Sequence, residues 1–253
     1  MSPYAVRVLP TTIASLLASL QQEPGRPRIT WYGGDGERVE LSGAVLDNWV
    51  TKTTNLLVEE LDAGPGTVVL LDLPGHWRTV VWALSVWRAG ACVALPGAST
   101  DAPDVVVTHD PATHADARAL VAVPLPALAR RFDGALPGGA VDAGSAVMTY
   151  GDVLGWAPAT DPSAAALVAP ELAVPHARLV ETLTDRPGSA RARTLVVASD
   201  TVALDDLAAV LAVLARDGSA VLVDRALAGE LEQDRPRLDR LLSAEQVTGS
   251  ALG

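Results

Sequence analysis

Apolar and polar positions along this chain fall into two kinds of stretch, and one span contains both. Residues 67–73, TVVLLDL, form a near-continuous apolar run of strand length. Pro74-Gly75 breaks it. Residues 77–88, WRTVVWALSVWR, contain no Pro or Gly and are long enough for a helix. Ala89-Gly90 ends that helix, because glycine adopts the left-handed conformation after a helix at little cost. Residues 91–95 are a second apolar run, closed by Pro96-Gly97. A strand, a helix and a strand in this span predict a βαβ unit with a right-handed crossover. Neither strand alternates with polar residues, so both faces of each are expected to be covered. Trp77, Trp82 and Trp87 are five residues apart, so each projects about 140° from the one before it and the three point in different directions. Only Arg78, Ser85 and Arg88 form a polar side. A helix apolar nearly all round predicts a central core element.

The same order recurs at 194–224: a Thr-headed strand, a break, a helix over 205–216, Gly218 and a strand. Leu207, Val210, Leu211 and Leu214 form the apolar stripe of that helix. Around these units, 11–22 reads as a short amphipathic helix ended by Pro24-Gly25. Two strands, 28–32 and 38–41, flank Gly33-Gly34-Asp35-Gly36. A glycine tract cradles phosphate when a helix N-terminus follows it. A strand follows here, so the tract predicts a hairpin turn. Ser42 is a suitable N-cap for a helix over 43–61, with Leu46, Trp49, Val50, Thr53, Leu57 and Leu61 on its single packing face. Residues 104–108 and 120–123 read as strands, with a helix at 113–119 between them. The stretch 124–156 is rich in Pro, Gly and Ala and predicts an irregular excursion; a lobe boundary is expected within 124–163. Beyond it come a strand at 164–169, a helix at 174–184 entered through Pro175, a charged helix over 225–242 and the start of a strand at 247–253. The predicted fold is α/β: two similar βαβ-containing halves side by side, with mostly parallel sheets covered by helices.

Composition narrows the function classes. The chain has 253 residues, 49% of them hydrophobic, enough for a sizeable core. Its formal net charge of −11 argues against nucleic acid and anionic membrane as partners, since both call for clustered Lys and Arg. Lys52 is the only lysine, and Arg-for-Lys usage in an Ala-rich chain suggests a high-GC genome. Cys92 is the only cysteine, sits in an apolar strand and reads as an inert core thiol. The N-terminus, with Arg7 its only basic residue before Val8 and an apolar stretch interrupted by Pro10, Thr11, Thr12 and Ser15, makes a poor signal peptide, and no apolar run approaches the ~20 residues of a membrane span, so a cytoplasmic location is expected. HExxH, paired CxxC, GxSxG and GxGxxG in a βα context are all absent. His109 and His114, with Asp110 and Asp116, form a loop cluster that reads either as a metal site or, better, as a solvated loop.

The hairpin leading to Leu41-Ser42 and a long helix, followed by GPGTVVLLDLPGHWRTVVWALSVWRAGACVALPG, resembles the start of an adenylate-forming enzyme of the acyl-CoA synthetase superfamily. RDGSAVLVDRA followed by RLLSAEQVTGSAL resembles a later part of the same N-terminal domain. The chain is also similar to a set of short actinobacterial proteins of unassigned function that look like a truncated AMP-binding domain. The resemblance implies a single truncated AMP-binding-like domain over 1–253. It also implies a Ser/Thr/Gly-rich loop ending in Pro-Lys, which wraps the ATP phosphates, between the strand at 164–169 and His176. The text there, APELAVPHARLV, has no Ser, Thr, Gly or Lys before the helix. A phosphate-wrapping loop needs glycines to aim N–H groups inward and a cation to meet the charge. The ribose- and adenine-holding motifs and the lid with its catalytic lysine would lie beyond Gly253, and no lysine follows Lys52.

Ligands of open α/β sheets bind outside the carboxyl ends of strands. Asp72, His76, His176, Ser199 and Asp200 lie near such ends and are the candidate ligand-binding residues. The resemblance puts Ser199-Asp200 near the acyl pocket. His76 or His176 could act as a base with an Asp partner. Each residue also reads as a helix cap or a solvated side chain, and Asp200 as a turn residue before Val202. No catalytic residue and no metal ligand is assigned. Three functions follow as expectations. The first is a non-catalytic binding or regulatory module with no cofactor. The second is a degenerate or partner-completed adenylate-forming enzyme that uses ATP or AMP. The third is a structural subunit that self-associates or pairs with a protein partner through an open sheet edge.

Overall fold

The computed structural model describes residues 9–100 and 102–250. The leader reading of residues 1–8 and the last three residues of the strand expected at 247–253 lie outside them. Helix α1 (Ile13–Leu20) starts at Thr12, whose hydroxyl accepts the Ser15 N–H. Strands β1 (Pro27–Tyr32) and β2 (Arg38–Ser42) pair antiparallel around the glycine tract as a hairpin. Ser42 ends β2 and caps α2 (Gly43–Leu61) by accepting the Val45 N–H at 3.3 Å, an interaction that stabilises a helix by about 1 kcal/mol.

The organising unit forms as its pattern predicts: β3 (Val68–Asp72), α3 (Trp77–Arg88) and β4 (Cys92–Ala94), with β3 and β4 parallel. Every residue of α3 except Arg88 is buried. Trp77 and Trp87 are among the largest fully enclosed side chains, each contributing about 2–3 kcal/mol through apolar burial. Strands β5 (Val105–Thr108) and β6 (Leu120–Ala122) follow. The excursion holds a two-residue β7 (Val141–Asp142), a single-turn α4 (Ala143–Ala146) and a 3-10 turn, Val147–Thr149. The later elements are β8 (Ala165–Ala169), β9 (Leu172–Pro175), α5 (His176–Thr184), β10 (Arg193–Val197), α6 (Leu204–Ala215), β11 (Ser219–Val223), α7 (Arg225–Gln233), α8 (Arg235–Ala244) and β12 (Gly249–Ser250).

Two sheets result. The seven-stranded one has the order β7-β6-β5-β3-β4-β8-β9, parallel except for β9. The five-stranded one has the order β12-β10-β11-β1-β2, parallel except for β2. The βαβ units β3-α3-β4 and β10-α6-β11 lie in different sheets, which are the two similar halves. One hydrophobic cluster runs through both, from Ile29 and Ala220 in one sheet to Val69 and Leu167 in the other, with α3 and α6 within it. A smaller cluster joins the other face of the five-stranded sheet, Leu195, Val221 and Val223, to Leu227, Leu231 and Leu238 of α7 and α8.

Several expectations change. The segment 124–163 does not divide the halves: strands on both sides of it belong to the seven-stranded sheet, and the chain changes sheet at α2 and again after α5. In β3 only Val69 and Leu71 face the core, while Val68 and Leu70 on the other side are half-buried, so that strand is not covered on both faces. Helix α2 is buried beyond one face, at Thr51, Thr54, Asn55, Leu56 and Val58. It packs on α3 and is also clasped by residues 150–155. The Asn55 amide donates to the carbonyls of Gly151 and Val153 and accepts the Gly155 N–H at 3.1 Å, and Lys52 Nζ donates to the Tyr150 carbonyl at 2.6 Å. The helix expected at 113–119 is a 3-10 turn, Pro111–His114, because the chain returns within a few residues to pair β6 with β5. Val174-Pro175 complete β9, so α5 begins at His176. The charged helix splits at Asp234, which leaves helical geometry (φ −114°) and caps α8 by accepting the Arg237 N–H at 3.0 Å. Among the described residues no helix is long and apolar enough to cross a membrane.

Candidate functional site

Parallel strands bring their carboxyl ends to one side of each sheet, and the two resulting rims meet. The loop after β3 (residues 73–76) touches the loop after β10: the Gly75 N–H donates to the Ser199 carbonyl and the Val202 N–H to the Leu73 carbonyl, both at 2.8 Å. Gly75 is required by this approach, since a Cβ there would sit 2.7 Å from Ser199 N. Four of the five candidate residues lie on this joined rim.

Asp72 ends β3. Its Oδ2 lies 2.6 Å from His114 Nε2 and 3.4 Å from the Thr108 hydroxyl. The carboxylate therefore orients His114, which comes from the 3-10 turn, and not His76. His76 is the N-cap of α3 and is only 5% exposed. Its Nδ1 accepts the Arg78 N–H at 3.1 Å, so the proton of the neutral ring sits on Nε2. The ring packs edge-on against Trp31 with centroids 4.5 Å apart. Burial, reinforced by the positive charge of Arg78, lowers its pKa to about 3. His76 is thus a neutral cap, and among the described residues no Asp partners it as the base expected from the sequence.

Beside it the Arg78 guanidinium lies 4.4 Å above the Trp77 ring and 5.4 Å above Trp49, and donates to the carbonyls of Leu125, Pro126 and Ala127. Burial pulls its pKa down to about 10. That cation is committed to holding the start of the excursion. Ser199 Oγ donates to Asp206 Oδ1 at 3.1 Å, while Asp206 Oδ2 accepts the Ala203 N–H at 2.8 Å at the start of α6. Burial raises the Asp206 carboxyl despite these bonds. Asp200 is exposed and, among the described residues, reaches only Arg225, at 3.6 Å. His109 Nδ1 lies 3.4 Å from the Asp72 carbonyl, and no group of three or more His, Cys, Asp or Glu side chains converges on a metal position among the described residues.

His176 is elsewhere. It follows β9, which runs antiparallel to β8, so it stands at the amino ends of β4 and β8, where its Nε2 donates to the Gly90 carbonyl at 3.1 Å. Sequence proximity to a strand end misplaced it because β9 reverses direction. The Asp72–His114 pair, conversely, has no signature in the sequence: its members lie 42 residues apart and meet only because β5 pairs beside β3.

At the position of the phosphate loop, β8 and β9 form a hairpin. Ala169 pairs with Leu172, so only Pro170 and Glu171 make the turn, and Glu171 takes a left-handed φ of 63°. Exposed Glu171 puts an acidic side chain on the rim where phosphate chemistry calls for N–H groups and a cation. Buried Cys92 has its thiol pushed up to about 11 by desolvation and takes no part in the rim.

No family model matches the chain. It is 35% identical over 258 residues to a TIGR03089 family protein of Mycobacterium tuberculosis, covering 94% of this chain and 98% of that one. Among solved structures it resembles an acyl-CoA synthetase of Brucella canis, with a TM-score of 0.66 and 16% identity over 88% of this chain and 45% of that one. It also resembles the acetoacetyl-CoA synthetase of Streptomyces lividans, with a TM-score of 0.65 and 15% identity over 84% of this chain and 38% of that one. The chain therefore spans less than half the length of these two synthetases. With near-complete mutual coverage at 35% identity, and the fold of an acyl-CoA synthetase N-terminal domain, the chain belongs to the TIGR03089 protein family.

Proposed function

We propose that this protein is a non-catalytic form of the adenylate-forming fold, serving as a binding or regulatory module rather than making acyl-adenylates. The observation that carries this reading is the Pro170-Glu171 turn. A two-residue hairpin has no spare backbone to wrap a triphosphate, and the exposed glutamate repels one. Arg78, two residues after His76 of the rim, is already bonded to three carbonyls, and Arg225 faces the Asp200 carboxylate. Calorimetric titration with ATP, AMP and acyl-CoA, beside ATP–pyrophosphate exchange with a mixture of carboxylic acids, tests it. No exchange and no tight ATP binding is expected; tight ATP binding with exchange by the purified chain would overturn it.

The Asp72–His114 pair supports a second reading, a partner-completed enzyme that takes ATP or AMP. An aspartate that orients a histidine at a strand end is an arrangement suited to proton transfer. This reading expects exchange activity only when a separate protein supplies the lid and its lysine, and loss of that activity in Asp72→Asn.

A further inference from the structure

A cavity lies at the opposite end of the seven-stranded sheet from the rim. It has a volume of about 270 Å³ and opens between the first turn of α1, the last turn of α3 and the first turn of α5. Ile13, Trp87 and Leu179, all buried, make its apolar wall, and exposed Ala177 stands at its mouth. Arg88 and His176 supply polar groups.

Arg88 is only partly used. Its Nη1 donates to Asp47 Oδ1 at 3.2 Å and to Thr51 Oγ1 at 2.9 Å. Its Nε and Nη2 hydrogen-bond to no described residue. A guanidinium has five N–H donors, so two used leave three open. His176 is held by Gly90 through Nε2, and burial lowers its pKa, so it adds no second positive charge.

We propose that this cavity is a binding site for a compact apolar monoanion, with its apolar body against Trp87 and Leu179 and its carboxylate or sulfonate on the open edge of Arg88. Size and charge both restrict the class. An apolar cavity of about 150 Å³ accepts benzene, so this volume admits roughly ten heavy atoms and is too small for a nucleotide. Arg88 is already ion-paired with Asp47, so what it offers is three open N–H donors, which suit one carboxylate or sulfonate; a phosphate dianion would find no uncompensated cation. The site shares no residue with the rim, so it stands or falls independently of the nucleotide question.

Benzoate is the probe, with benzyl alcohol as its neutral analogue and AMP as the oversized anion, titrated calorimetrically at constant ionic strength. Benzoate is expected to saturate with a Kd of about 1 mM or tighter, benzyl alcohol to bind at least about tenfold more weakly, and AMP not to compete with benzoate. Arg88→Met should weaken benzoate about tenfold and leave benzyl alcohol unchanged, a loss of about 1.4 kcal/mol. Ala177→Trp fills the mouth and should abolish both; Ala14→Trp, from the exposed face of α1, does the same should the first variant not fold. The proposal is overturned by no saturation up to about 10 mM benzoate, by equal affinity for the alcohol, or by benzoate binding that survives either the Arg88 or the mouth substitution.

Discussion

At the scale of single residues, His76 carries the clearest pH signature. Its folded pKa of about 3 lies below the ordinary 6.5, so between these values the unfolded chain binds a proton that the folded chain does not. Stability therefore falls as pH drops from about 6.5 towards 3, by about 1.4 kcal/mol per unit in the steepest part. His76→Asn keeps an acceptor for the Arg78 N–H and removes the titration. Urea melts at pH 7.5 and 5 should show a smaller pH dependence in the variant, and equal slopes would show that His76 is not the group responsible. Gly75 is the other sensitive position. Gly75→Ala forces a Cβ onto Ser199 N and should cost about 1–3 kcal/mol, read as a lower melting temperature. A Gly there is legible in the sequence as a strand break, but the contact that forbids a side chain comes from a loop 124 residues away and is not.

At the scale of elements, the C-terminal helices depend on one carboxylate. Glu245, just after α8, accepts from the Tyr32 hydroxyl at 2.5 Å, from Arg38 Nε at 3.0 Å and from Arg193. Burial alone would raise its pKa, but the bonds from Tyr32, Arg193 and Arg38 outweigh it and hold the carboxyl below its usual value of 4.5. A lowered folded pKa stabilises above the unfolded value and ceases to do so as pH falls through the folded one. Docking of α7 and α8 should accordingly loosen below about pH 4.5. Glu245→Gln leaves Arg193 without a counter-charge, while Arg38 keeps Glu40, and should destabilise by on the order of 3 kcal/mol. Limited proteolysis should then cut first near 233–248; unchanged cleavage would show that the helices are held by their apolar face alone. The sequence predicted one charged helix here because its charges mark a solvated face. The break at Asp234 is local, an N-cap aspartate followed by Pro236, whereas the latch at Glu245 depends on side chains of β1, β2 and β10 that no local pattern reveals. The β8–β9 turn is the opposite case: APELAVPHARLV by itself shows that the glycines and lysine are absent.

At the scale of the whole molecule, a single hydrophobic cluster crosses both sheets, with α3 buried on every side. The chain should therefore unfold in one cooperative transition, monitored by tryptophan fluorescence and far-ultraviolet circular dichroism together; separate transitions by the two probes would mean that the halves are independent units. The amino-acid sequence by itself determined most of the elements and the fold class. Apolar runs, helical spacing and Pro/Gly punctuation act over a few residues, and a βαβ unit has one favoured hand. It did not determine which strands share a sheet, since β1 joins β11 across 191 residues, from Ile29 to Ala220. Nor did it determine which candidates meet. Asp72 finds His114, His76 is sealed against Trp31, and His176 stands at the far end of the sheet beside Arg88. Those pairings are set by strand order and direction, which arise from burying one common core, and only the tertiary structure decides them.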